Sequence, residues 1–369
     1  MRKTPAPMFN ENRLKLGTFS ANCSGGMAVT KVPERWNNDW ANNLDLVKQC
    51  DDAGIEFMLP IARWIGYGGE TDFHGNVLET VTWAAGLAAH SKNIQVFATV
   101  HTAFNHPIVV AKQLATLDQL SNGRIGLNVV AGWNKPEYDA FGMDLPSDHS
   151  DRYAMAQEWF DYVTRLWKED SAFDWTGSFF NGKGVYGQPH PVQERVPVIN
   201  AAASEEGRAF AMRNADFLFT PVFDFDQARE TVSDIKQQSQ SVGRDVQVLT
   251  FCTVVCRPTQ KEADEYLNWY ASENADWEAV DNLMTLQGMH AQSFTKEALA
   301  MFRDRFAAGH GGFPLVGTPD TIADLLETLS ATGIAGTTLS FVDYAKEFPY
   351  FRQEVLPRLE AKGLRHPVD

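Results

Sequence analysis

Apolar and polar positions along the chain follow two rhythms: short, nearly all-apolar runs and longer amphipathic stretches. The pair at 107–130 is the clearest. Val110, Leu114 and Leu117 recur at helical spacing, with Ala111 and Leu120 beside them, so one face of this stretch seeks a core. Asn122-Gly123 stops the helix, because glycine takes the left-handed conformation cheaply there. Ile125 to Val130 is short and apolar, as expected of a parallel strand buried on both faces. Asn128 interrupts it. An amide in such a strand needs hydrogen-bond partners, and a bound polar ligand could supply them. Ala131-Gly132-Trp133, Glu137 and Tyr138 follow in what reads as an exposed polar-aromatic loop.

The alternation continues from end to end. The pattern predicts strands over 14–21, 57–62, 94–101, 124–130, 196–203, 217–222, 247–256 and 337–341. Helices are predicted over 40–53, 78–91, 107–121, 151–170, 205–214, 227–241, 318–332 and 349–362. Eight strand–helix units favour an α/β fold of the (β/α)8 TIM-barrel type over an open doubly wound sheet. No linker or repeat divides residues 1–369, so a single domain is expected. The excess over roughly 250 residues falls in two insertions. One, about 171–195, reads as a small hairpin; the other, about 257–312, is helical and polar with a glycine-rich tip, AAGHGGF. Both are expected to cap the C-terminal mouth of the barrel, where ligands bind in this architecture.

Net charge narrows the partners. At −15 the chain lacks the concentrated Lys and Arg that nucleic acid or an anionic membrane requires. No apolar run is long enough to span a bilayer, and MRKTPAPMFNEN carries no secretory apolar stretch, so the expected compartment is the cytoplasm. Cys23, Cys50, Cys252 and Cys256 are too few and too scattered for a disulfide scaffold and read as buried thiols. An aromatic content of 12% suits a pocket that stacks a flat ligand.

In a barrel, the residues that matter sit at strand C-termini: Ala21-Asn22, Arg63, Thr99 to Thr102, Asn128 to Glu137, Ser204 and Phe223-Asp224. Ala202 to Gly207 runs from strand into helix and could hold an anion on free backbone N–H groups, with Ser204 adding a donor. Ser204 could equally be a plain helix cap. Arg152 and Tyr153 could reach the same anion, or Arg152 could pair with Asp148 or Asp151 at the surface. The loop 66–75 lacks GxGxxG order, so its glycines serve turns or a mobile lid. No HxH or HExxH pattern occurs, so no metal site is assigned, and no GxSxG offers a serine nucleophile. A bound organic cofactor then becomes the natural carrier of the chemistry.

Five segments carry a family resemblance: IARWIGYGGETDF, IQVFATVHT, AKQLATLDQLSNGRIGLNVVAGWNKPEYDAFG, DRYAMAQEWFDYVTRLW and VINAAASEEGRAFAMRNADF. On them the chain resembles the bacterial-luciferase-like, flavin-dependent monooxygenases over nearly its whole length. Within these it is most similar to the branch of pyrimidine oxygenases and dimethyl sulfone monooxygenases. The resemblance implies a TIM barrel that takes FMN as FMNH2 from a separate NAD(P)H:flavin reductase, uses O2 as co-substrate and oxygenates a small organosulfur or nitrogen-heterocyclic molecule. It implies that Ile61, Ala62 and Arg63 lie along the flavin ring, that Thr99 and Asn128 contact the ring and the oxygen site, and that Glu137 stands near the flavin. It implies that Arg152, Tyr153, Ala203 and Ser204 cradle the ribityl phosphate, and that the chain forms a homodimer or homotetramer. Arg63 stands where the pyrimidine branch has Lys, and Ala202-Ala203 replaces a glycine-containing turn. Two alternatives share the barrel: a coenzyme F420-dependent oxidoreductase and a non-catalytic flavin-binding protein.

Overall fold

The computed structural model describes residues 6–202, 204–289 and 296–368. Eleven strands are present among these residues: β1 (Lys15–Phe19), β2 (Phe57–Leu59), β3 (Gln95–His101), β4 (Ile125–Val130), β5 (Phe173–Thr176), β6 (Asn181–Val185), β7 (Val198–Ala201), β8 (Phe217–Phe219), β9 (Gln247–Cys256), β10 (Phe313–Gly317) and β11 (Gly336–Ser340). The helices are α1 (Trp40–Asp52), α2 (Thr80–Ala89), α3 (Pro107–Ser121), α4 (Lys135–Ala140), α5 (His149–Leu166), α6 (Glu205–Asn214), α7 (Phe225–Ser241), α8 (Gln260–Asn268), α9 (Trp277–Leu286), α10 (Lys296–Gly309), α11 (Pro319–Ala331), α12 (Tyr344–Glu354) and α13 (Leu356–Ala361).

Strands β1, β2, β3, β4, β7, β8, β9 and β11 pair in parallel and close on themselves through β9–β8 and β11–β1. This is the closed eight-stranded barrel that the apolar rhythm predicts, and its strands are the eight expected ones. The long strand β9 does double duty. Its first half closes the barrel, while Cys252 to Cys256 pair with the additional strand β10. That strand went unread because its five residues directly follow the glycine-rich tip.

Period-two alternation sorts the strand residues into two cores. Leu16, Met58, Val96, Leu127 and Val198 face outward against the helices. Phe57, Phe97, Ile199, Phe217 and Leu249 fill the barrel, with Met8 beside them. At the N-terminal end, Glu56 accepts from Asn10, Asn12, the Leu16 N–H and the Arg365 guanidinium, whose Nη1 lies at 2.7 Å. This enclosed ion pair ties the C-terminal tail to the start of β2.

Helices α3 and α6 have the predicted bounds. Three other expectations change. The last helix begins at Tyr344 rather than at Pro349, because Asp343 caps it. Pro349 cannot donate to Ala345, and that carbonyl accepts from Gln49 instead. The 135–140 stretch is a short helix with Glu137 and Tyr138 buried, not an exposed loop. The 171–195 insertion does form a hairpin, but it rides outside α3 and α5, with Trp175 stacked on Tyr162 and Phe180 against His106. Capping falls to the 257–312 insertion. Among the described residues no helix is long and apolar enough to cross a membrane.

Candidate active site

On β3, alternation puts Thr99 and His101 on the same inward face as Phe97. On β4 it turns Asn128 inward between the outward Leu127 and Val129. Gly126 makes this possible, since a Cβ there would stand 2.3 Å from the Phe97 ring. The register pairs Thr99 with Asn128 across the two strands. Asn128 Nδ2 donates to Thr99 Oγ1 at 3.1 Å, and Thr99 in turn donates to the Pro60 carbonyl. The Thr99 proton is therefore committed to the protein. Thr99 orients Asn128, and the amide is what the pair presents. Its Oδ1 is buried without a partner.

Arg63 follows β2 and pairs with Glu137 at 2.9 Å, both side chains nearly sealed from solvent. Glu137 also accepts the Trp64 N–H at 2.8 Å. The guanidinium lies 4.9 Å from the Tyr67 ring and 5.3 Å from Trp133, so two aromatic rings contact it. Glu137 sits behind Arg63 and does not line the cavity. His101 Nε2 faces Glu137 Oε2 at 3.9 Å, while its Nδ1 has no partner. Burial, then the Arg63 charge, pushes the His101 pKa down to about 3. The same two causes bring His310 to about 3. Both imidazoles are neutral near pH 7.

Their linkage to stability has a defined sign. A depressed folded-state pKa means the unfolded chain binds protons first as pH falls. The stabilisation is complete above the ordinary histidine value near 6.5 and is lost between there and about 3. Each imidazole contributes a slope of about 1.4 kcal/mol per pH unit in that window. Urea unfolding at stepped pH should show this slope, and His101→Asn should remove one imidazole's share of it.

These groups surround a cavity of about 370 Å³ at the C-terminal mouth, within the size range of small-molecule sites. Phe19, Phe219 and Phe251 form its apolar depth. Ile61, Ala62, Arg63, Thr99 and Asn128 all line it, so five of the predicted site residues converge. The roof comes from the 257–312 insertion: Gln287, Met289, Phe306 and His310. Loop 66–75 serves turns, not a free lid. Gly68 and Gly69 take φ of 68° and 76°, and Thr71 donates twice to Asp276.

Off the cavity lining, Tyr153 and Ser204 meet at the start of α6, while Arg152, beside Tyr153 on the first turn of α5, is held against the Pro146 carbonyl. Ser204 caps the helix by accepting the Gly207 N–H at 3.1 Å, and its own proton is left to donate. Tyr153 lies over the same turn, where a Cβ on Gly207 would come 2.5 Å from its hydroxyl. Arg152 is buried, donating to the Pro146 carbonyl, and is not the surface residue the sequence left open. Arg208, on this turn, has an enclosed Nε without a partner. Ala203 lies outside the described residues. Among the described residues no cluster of His, Cys, Asp and Glu could hold a metal ion.

Sequence reasoning missed His310, Gln287 and Met289, which reach the cavity from an insertion far along the chain. His101 lay within the strand-end run Thr99 to Thr102 without a role of its own. The nearest signal for His310 was the lone imidazole inside AAGHGGF.

Fold and site together describe a TIM barrel with a mostly apolar cavity at the mouth of its strands. The model of the luciferase-like monooxygenase family matches residues 14–336, and the chain belongs to that family. It is an oxidoreductase of the flavin-dependent monooxygenase class. The chain is 29% identical to the pyrimidine monooxygenase RutA of Acinetobacter baylyi, over 95% of each chain. It is 30% identical to the FMNH2-dependent dimethylsulfone monooxygenase of Pseudomonas fluorescens, over 96% of this chain and 97% of that one. The solved structure of DmoA from Hyphomicrobium sulfonivorans superposes with a TM-score of 0.84 at 21% identity, over 95% of this chain and 89% of that one.

Proposed function

We propose that this chain is the oxygenase component of a two-component system. It takes FMNH2 from a separate NAD(P)H:flavin reductase and uses O2 to oxygenate a small, uncharged organosulfur or nitrogen-heterocyclic substrate. One observation carries the reading: the Asn128 amide, held by Thr99, faces an apolar cavity in which the only charged described lining residue is already ion-paired. The donor set fits a flavin. Asn128 Oδ1, Arg63 Nε and His101 Nδ1 are enclosed polar atoms without partners, set among aromatic walls.

Reduced FMN, when bound, supplies the electrons that activate O2, so that one oxygen atom goes to substrate and the other to water. Ile61, Ala62 and Arg63 would lie along its ring. Asn128 would hold a polar edge without delivering a proton, because its free Oδ1 accepts and its amide N–H is not acidic. Arg152, Tyr153 and Ser204, with Ala203 before them, would hold the phosphate on the first turn of α6. Phe19, Phe219 and Phe251 exclude water from the reacting end. With Arg63 compensated and both imidazoles neutral, nothing described in the cavity balances a substrate anion, which favours a neutral substrate.

The same proposal places the protein in the cytoplasm as one domain, assembled as a homodimer or homotetramer. The test is turnover under ¹⁸O2 with dimethyl sulfone and uracil, reduced FMN being generated by an NADH:flavin reductase. One labelled oxygen atom in the product is expected. Recovery of all consumed oxygen as hydrogen peroxide, with no label in either organic product, would contradict it.

A further inference from the structure

The roof and the floor of the cavity have different origins. Strand ends supply the floor, and the 257–312 insertion supplies the roof. Among the described residues the roof offers two polar side chains to the cavity, Gln287 and His310. His310 lies just past the end of α10 with φ of +56°, followed by Gly311 at +85°. A left-handed backbone costs a non-glycine residue about 1–2 kcal/mol, and a turn alone would favour glycine or asparagine. The imidazole is not explained by the turn.

Its environment shows what it offers. The Gln287 amide nitrogen lies 3.1 Å from His310 Nε2 and donates to it. The ring proton therefore sits on Nδ1. That nitrogen is enclosed and has no partner. The rings of Phe306, Tyr67, His74 and Phe73 lie around it, with centroids at 5.9, 6.0, 6.0 and 6.4 Å. Burial and the Arg63 charge keep the ring neutral. A shielded donor left without an acceptor is a standing cost, and an acceptor on a bound molecule removes it.

We infer that His310 is a specificity-determining residue: its Nδ1–H donates to a carbonyl or sulfonyl oxygen of the substrate, and Gln287 fixes the tautomer that makes this possible. The inference rests on the function proposed above and deepens it. It requires the substrate to carry an oxygen acceptor before it is oxygenated, so a sulfone or a pyrimidine dione fits and a simple thioether does not.

Two substitutions keep the left-handed turn comfortable while separating the roles. His310→Gly removes the donor, and His310→Asn retains one. Calorimetric binding of dimethyl sulfone and uracil to the protein loaded with FMN gives the first readout. His310→Gly should weaken the better of these ligands about tenfold, the loss of one hydrogen bond, and His310→Asn should recover most of it. Direct titration with reduced FMN should give the same affinity in all three proteins. Nitrogen-15 NMR of histidine-labelled, cofactor-free protein gives the second readout. The resonance absent from His310→Asn should report a neutral Nδ1–H ring that switches tautomer in Gln287→Glu. Equal ligand binding by His310→Gly and wild type, an Nε2–H ring in wild type, or no binding of either ligand by FMN-loaded wild type would each overturn the inference. Failure of wild type to bind reduced FMN would instead overturn the proposed function.

Discussion

Replacing Asn128 by leucine should lower kcat/KM by about 10²–10³-fold, the range seen when one preorganised neutral donor is removed from a reacting centre. Leucine keeps the branched shape of asparagine with more bulk, and Asn128 borders the cavity rather than a packed interior, so the fold should tolerate it. Thr99→Val should cost less, about tenfold, because it leaves the amide in place and removes the bond that orients it, along with the bond to the Pro60 carbonyl. The ordering of the two variants is the informative result. Equal losses would mean that Thr99 acts on the ligand directly. Steady-state oxygenation, with peroxide release measured alongside, gives both numbers. Uncoupling should rise in each variant as kcat/KM falls.

Glu137→Ala should destabilise the protein by about 3–5 kcal/mol, the cost of stranding one partner of a buried ion pair. The structure gives the reason: Arg63 and Glu137 are almost fully enclosed, and the Trp64 N–H would lose its acceptor as well. Glu137→Gln should fall between, since an amide can still accept from Trp64 but leaves the Arg63 charge unbalanced. The double variant Arg63→Met/Glu137→Leu should recover part of the lost stability, because no buried charge remains. Urea unfolding of the single variants and the double gives the coupling. Recovery by the double variant without recovery of reduced-FMN affinity would assign Arg63 a contact with the cofactor beyond its structural pairing.

The barrel was legible because its strands are buried on both faces, which writes them as short apolar runs. Helices α3 and α6 were legible to their ends because Pro107, Asn122-Gly123 and Ser204 are local stop and start signals. Asn128 stood out as an amide where the run demanded a hydrocarbon. What did not show depends on distant segments meeting. Glu137 reads as a loop carboxylate until Arg63, 74 residues earlier, is seen against it. Thr99 and Asn128 look alike as neutral donors until the Pro60 carbonyl takes the threonine proton. The tie between Thr71 and Asp276 pins the glycine-rich loop to the 257–312 insertion, and it joins residues 205 apart. His310 and Gln287 reach the cavity only because the insertion folds back over the strand ends.

Whether this mouth receives reduced FMN is decided by anaerobic titration of the purified protein with reduced FMN. Saturable binding of one reduced FMN per chain is expected, tighter than that of oxidised FMN and weakened by Arg152→Ala. Absence of saturable binding, or binding indifferent to that substitution, would contradict it.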